Sequence, residues 1–260
     1  MPTVKDIFLK LCDKMPLSLC ATWDNSGFLL GSARQEVKKV LLALDVTQLV
    51  VSEAVKEGCS LIVTHHPLIR EPMRSITDET KLGKILLNLI KNDISVISMH
   101  SNADTCAGGI NDILAEKLKL KNIESARCGQ QNTLGRLGEL EKECSLRDFL
   151  ERVKKALYPL AGARYHDAGR PVKKIAVFGG ACGEFLSSSQ EFGCDTFLTS
   201  DIKYSVMLEA SEIGMNIIDA GHFETETIVN QLYTQVILDA FRDVSVKISE
   251  TNSNPVTFYC

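Results

Sequence analysis

The chain has no apolar run long enough to cross a bilayer; "VLLAL" (40–44) is among the longest, and a membrane span needs about 20 such residues. It has no basic excess. Lys and Arg total 29 against 33 Asp and Glu, for a net charge of −4 and a pI near 5.8, which argues against a nucleic-acid surface. Its nine cysteines include no C-x-x-C pair and no zinc-ribbon spacing. An uneven number without a secretion signal reads as reduced thiols, mostly buried as small hydrophobes. "MPTVKDIFLKLCDKM" (1–15) lacks the unbroken apolar stretch of a signal peptide. It reads as an amphipathic helix with Ile7, Phe8, Leu11 and Met15 on one face. These absences together point to a cytoplasmic protein with no membrane segment. Tryptophan occurs once and histidine five times in 260 residues, so the placement of each is informative.

What the sequence does contain is alternation. Buried strands are expected at 39–45, 60–66, 93–100, 174–180, 195–201 and 215–222. Helical patterns fall between them at 47–58, 81–93 and 204–214. This is the pattern of an α/β fold with mostly parallel or mixed sheets. A faint repeat supports two similar halves. At an offset of 135, Val37, Lys38, Lys39, Ser52, Gly58, Cys59 and Thr64 meet identical residues. The polar stretch "CGQQNTLG" (128–135) suggests a boundary between an N-terminal half, 1–128, and a C-terminal half, 129–260.

Four of the five histidines stand at expected strand ends: His65 and His66 in "LIVTHH", His100 in "ISMH" and His222 in "DAGH". Ligand crevices of open α/β sheets lie outside the carboxyl ends of strands. Adjacent residues on a strand point to opposite faces, so His65 and His66 suit one ion each better than a shared one. His222 and Glu226 are four apart and share a face if a helix begins after Gly221, whereas Glu224 points away. A carboxylate such as Glu226 can bridge two ions roughly 3.5–4 Å apart, and Asp104 completes one coordination sphere. Nitrogen and oxygen donors without thiolate suit Zn, Mn, Fe or Ni. His100 reads either as a ligand or as a partner that orients one. His166 belongs to a surface loop. "GGACGEF" (179–185) is a candidate phosphate cradle containing Cys182. Trp23, beside a turn at Asp24, Asn25 and Gly27, reads as a packing anchor.

"WDNSGFLLG", "LIVTHHPLI", "HSNADTCAGGIND" and "DAGHFETE", in this order, resemble the dinuclear-metal-centre hexameric proteins. These are also called the NIF-three-like family, or GTP cyclohydrolase 1 type 2 homologues. The resemblance implies two similar α/β domains with the metal site between them at strand ends, a homohexamer, and two divalent ions per chain. It carries the ligand roles onto His65, His66, Asp104, His222 and Glu226. Ser200 and Ser205 depart from the glycine and histidine usual in similar proteins. The expected function is a metal-dependent hydrolase with Glu226 in the catalytic role and a small, nucleotide-like substrate. The alternative is a non-catalytic metal-trafficking or regulatory scaffold.

Overall fold

The computed structural model describes residues 1–126, 134–157 and 162–257. The chain forms two compact units, Met1–Cys106 with Val229–Ser253, and Ala107–Ile228 with Asn254–Cys260. The division is therefore discontinuous and does not run at residue 128. That expected boundary falls in 127–133, outside the described residues.

The first unit holds α1 (Val4–Lys14), β1 (Gly27–Leu30), β2 (Lys39–Ala43), α2 (Gln48–Glu57), β3 (Leu61–Thr64), α3 (Lys81–Lys91), β4 (Ser95–Ser98) and α4 (Ser101–Thr105). Its order is β1-β4-β3-β2-β11, where β11 (Ser245–Ile248) returns after α10 (Val229–Ala240). Only β1 runs antiparallel. The parallel strands are apolar on both faces because both are covered. Leu41, Ile62 and Val96 pack with Val50, Val51 and Ala54 of α2 and Ile85 and Leu89 of α3. Ile7, Leu11 and Met15 of the N-terminal helix are fully buried, as its periodicity predicts. Thr3 and Asp6 form a reciprocal capping box at its start, and Gly58 ends α2 in the left-handed conformation.

The second unit holds α5 (Ile110–Lys117), β5 (Lys121–Ser125), β6 (Arg136–Cys144), α6 (Leu146–Leu157), β7 (Arg164–His166) and β8 (Val172–Val177). It continues with α7 (Leu186–Glu191), β9 (Thr196–Thr199), α8 (Tyr204–Glu212), β10 (Asn216–Asp219) and α9 (His222–Glu226). Its sheet order is β5-β6-β8-β9-β10-β7. The three strands β8, β9 and β10 are parallel and the flanking strands antiparallel. Both sheets are thus mixed, in agreement with the α/β reading. The internal repeat also has a physical counterpart: β9 lies 135 positions beyond β3, residue for residue. His166 closes strand β7, paired with Ile217, and does not sit in a loop. No helix among the described residues is long and apolar enough to cross a membrane. The described cysteines, 12, 20, 59, 106, 144, 182 and 194, are free thiols; Cys128 and Cys260 lie outside the described residues.

Candidate metal centre

Parallel register brings the strand ends of the first unit to one edge. Ala43 of β2 aligns with Thr64 of β3, which aligns with Ser98 of β4. Asp45, His65, His66 and His100 each lie one or two residues past those aligned positions. The three imidazoles cluster, with ring centroids 4.9 to 5.5 Å apart. One ring nitrogen from each lies within 4.8 Å of the others. His65 and His66, expected to suit one ion each, stand in one cluster because β3 ends at Thr64 and strand alternation ends with it. His100 joins the cluster as a full member. Asp104, on α4, brings Oδ1 to 3.8 Å from His65 Nε2.

Each imidazole is anchored on the same side. His65 Nδ1 donates to the Met99 carbonyl at 3.0 Å, His66 Nδ1 to Asp45 Oδ1 at 2.8 Å, and His100 Nδ1 to Asp24 Oδ1 at 2.9 Å. A carbonyl or an ionised carboxylate can only accept, so the proton is on Nδ1 and the ring lone pair is on Nε2. That is the tautomer a divalent cation requires, and such oxygen partners are the usual way proteins set it. Burial pushes the Asp24 carboxyl up. Hydrogen bonds from His100, Ser101 and Ser26 outweigh that effect and hold it well below the usual carboxylate range. Asp24 is thus ionised throughout the neutral range.

In the second unit β9 and β10 are also in parallel register, with Thr199 opposite Asp219. Asp201 and His222 follow them. Gly221, at φ 87°, turns the chain into α9, which stacks His222 over Glu226 with Nε2 to Oε2 at 2.9 Å. His222 Nδ1 meets Asp201 Oδ2 at 2.7 Å. Burial pushes the imidazole down, but the Glu226 and Asp201 carboxylates raise its pKa to about 9. His222 Nε2 and Glu226 Oε2 face each other, so a cation would take the place of the proton between them. Glu226 is only 4% exposed. Glu224 turns elsewhere, accepting from Asn254 at 2.8 Å.

The loop 179–183, read as a candidate phosphate cradle, lies against this pair, and three of its amides bond inside the protein: Gly179 to Asn111 Oδ1 at 2.7 Å, Gly180 to Thr225 Oγ1 at 3.1 Å and Cys182 to Thr199 Oγ1 at 3.1 Å. Gly180, at φ 71°, leaves room for a carboxylate: a Cβ there would stand 2.1 Å from Glu226 Oε1. Trp23 is no packing anchor. It is 68% exposed and meets His100 edge-on at 5.7 Å.

Asp24, Asp45 and Asp201 hold the imidazoles in place; in the sequence Asp24 reads as a turn residue and Asp201 as the polar end of a strand. Asp45 and Asp201 did carry a signal, since both end an apolar strand segment. The donor set, imidazole nitrogens with preset tautomers and buried carboxylates, fits a divalent cation of the zinc or first-row transition-metal class.

These features define a class: a two-unit α/β protein with histidine and carboxylate clusters, suited to metal, at the carboxyl ends of its parallel strands. The chain belongs to the Duf34/NIF3 (NGG1p interacting factor 3) family, whose model matches residues 2–255. A GTP cyclohydrolase 1 type 2 homolog of Clostridium perfringens is 33% identical over 98% of this chain and 99% of its own length. A Bacillus cereus protein related to NIF3 superposes with a TM-score of 0.90 at 26% identity, over 100% of this chain and 99% of that one. Reduced HcgD from Methanocaldococcus jannaschii gives a TM-score of 0.84 at 30% identity, over 95% and 98% of the two chains.

Proposed function

We propose that the protein is a cytoplasmic, metal-dependent hydrolase. In this reading His65, His66, Asp104, His222 and Glu226 bind two divalent cations of the Zn, Mn, Fe or Ni type, with His100 beside them. The observation that carries the reading is the common anchoring of the imidazoles through Nδ1, on Met99, Asp45, Asp24 and Asp201. A histidine serving only as core filling has no need of an oxygen acceptor on the same chosen nitrogen in every case.

When bound, such an ion pair lowers the pKa of a coordinated water toward neutrality and polarises the group under attack. The protein's own residues supply position and charge. Asp45 and Asp24 hold the rings of His66 and His100 in one orientation, so their lone pairs need no reorganisation on binding. Glu226, nearly buried and close against Gly180, would offer its carboxylate to the ions or take up the proton of the attacking water. The names of the curated relatives support a small, nucleotide-like substrate, and the family resemblance supports a homohexamer.

The test is elemental analysis of protein purified without chelator, followed by a screen of nucleotides and phosphoesters with each metal. About two metals per chain and saturable turnover are expected. Glu226→Gln should lower turnover by roughly 100-fold or more while leaving the fold intact. Turnover that survives both chelation and Glu226→Gln removes the mechanism. Metal retained without turnover of any substrate leaves the trafficking or regulatory scaffold in its place.

A further inference from the structure

Beside His66, wholly within the first unit, lies a cavity of about 460 Å³. That volume lies in the range of small-molecule sites. Its walls are apolar, formed by Val46, Leu68, Leu82 and Ile85 among others. Two cations, Arg70 and Lys81, also line it. Neither is engaged in an ion pair among the described residues. The acidic lining groups are Glu71 and Asp45, and Asp45 is committed to His66 Nδ1 at 2.8 Å. The lining is balanced in formal charge, two cations against two carboxylates, but the Asp45 carboxylate is engaged by His66, whereas Arg70 and Lys81 have no ion-pair partner among the described residues. His66, at 9% exposure, is the point where this cavity meets the histidine cluster.

We infer that this cavity seats a small organic anion: an apolar or aromatic body between Leu68, Leu82 and Ile85, and a phosphate or carboxylate end on Arg70 and Lys81. Two cations beside an apolar wall give an amphiphilic anion both a charge contact and an apolar contact. An uncharged ligand of the same shape gains only the apolar contact. The inference rests on the hydrolase reading for its meaning, since it names the substrate class of that same centre, but binding in the cavity needs no metal.

The experiment exploits that difference. Metal-stripped full-length protein is titrated with 1-naphthyl phosphate and with 1-naphthaleneacetate, following naphthyl fluorescence. 1-Naphthol serves as the uncharged control and inorganic phosphate as the bare anion. At least one naphthyl anion should bind saturably at one site, ~10-fold or more tighter than naphthol or inorganic phosphate. The tighter of the two identifies the end group. Arg70→Ala and Lys81→Ala should each weaken it by ~10-fold; both side chains are exposed, so folding is not at stake. Leu82→Ala should weaken the naphthyl ligands and leave inorganic phosphate unchanged. The inference is overturned if naphthol binds as tightly as the anions, if no saturable binding occurs, or if the Arg70→Ala/Lys81→Ala double variant binds the anions as tightly as the natural protein. With no metal in the titration, its failure leaves the metal centre standing, and failure of the metal centre leaves the titration unaffected.

Discussion

His100 donates through Nδ1 to Asp24 Oδ1 at 2.9 Å, joining residues 76 positions apart. The Asp24 side chain is 1% exposed, and its other oxygen accepts from Ser26 Oγ at 2.7 Å and from the Ser101 amide at 3.1 Å. One carboxylate thus fixes an imidazole, the entry to α4 and the loop that carries Trp23.

Asp24→Asn puts an amide nitrogen against one of these donors. The expected outcome is a loss of about 1–3 kcal/mol in stability, the cost of disturbing a buried hydrogen bond to a charged group. Metal affinity at the His65, His66 and His100 cluster should fall by roughly 10- to 100-fold, as for other partners that orient metal-binding histidines. Urea denaturation and competition against a chelator measure the two effects. Unchanged affinity in a folded variant would show that the Asp24 contact does not orient His100 for binding.

The single tryptophan reports on the same place. Trp23 lies 5.7 Å from the His100 ring and is largely open to solvent. Adding Ni²⁺ or Fe²⁺ to metal-stripped protein should quench its fluorescence saturably, with a midpoint equal to that of metal uptake. His100→Ala should remove most of the response. A tryptophan signal that ignores metal while the metal demonstrably binds would place the ions away from this cluster.

Gly180 offers a test by crowding. Gly180→Ala sets a methyl 2.1 Å from Glu226 Oε1 at a φ of 71°. It should destabilise the protein by about 1–3 kcal/mol through backbone strain and reduce metal bound through His222 and Glu226 by ~10-fold or more. Gly193→Ala is the control. Its φ is 75° and nothing lies within 4 Å of the added Cβ, so strain appears without loss of metal. Equal metal content in the two variants would mean that Glu226 does not depend on the space Gly180 leaves.

Acid sensitivity should be traceable to Glu53. Its carboxylate is 7% exposed and accepts from Ser249 Oγ at 2.6 Å, the Glu250 amide at 3.1 Å and Thr251 Oγ1 at 2.8 Å. Burial pushes its pKa up, but the bonds from Ser249, Glu250 and Thr251 outweigh that and bring it down to about 2. The folded pKa is thus depressed below the ordinary 4.5. The contribution, about 3 kcal/mol by linkage, is complete above pH 4.5 and is lost as pH falls toward 2. Glu53→Gln should lower the urea midpoint at pH 7 and converge on the natural protein near pH 2. A gap that stays constant with pH would refute the assignment.

Much of this molecule was legible in one dimension. All six strands expected from apolar runs are present, because buried parallel strands must be apolar on both faces and so leave a continuous signature. The antiparallel strands β1, β5, β6 and β7 escaped notice. Their burial is partial, as in β5 where only Ile123 is even half-buried, so neither strict alternation nor a full apolar run marks them. The gathering of histidines at strand ends was readable for the same reason as the strands themselves.

The partnerships were not readable. Asp24, Asp45 and Asp201 are ordinary strand-end or turn residues until sheet register sets them against His100, His66 and His222. Nor could the run 229–253 be assigned to the first unit from its own residues. That depends on β11 pairing in parallel with β2, Ser245 opposite Lys39. Local periodicity determined which segments are strands and helices and which polar residues end them, because burial repeats with the period of the backbone. Tertiary structure alone decided which nitrogen of His65, His66 and His100 carries its proton and which segments share a core. Those outcomes rest on hydrogen bonds and packing between residues far apart along the chain.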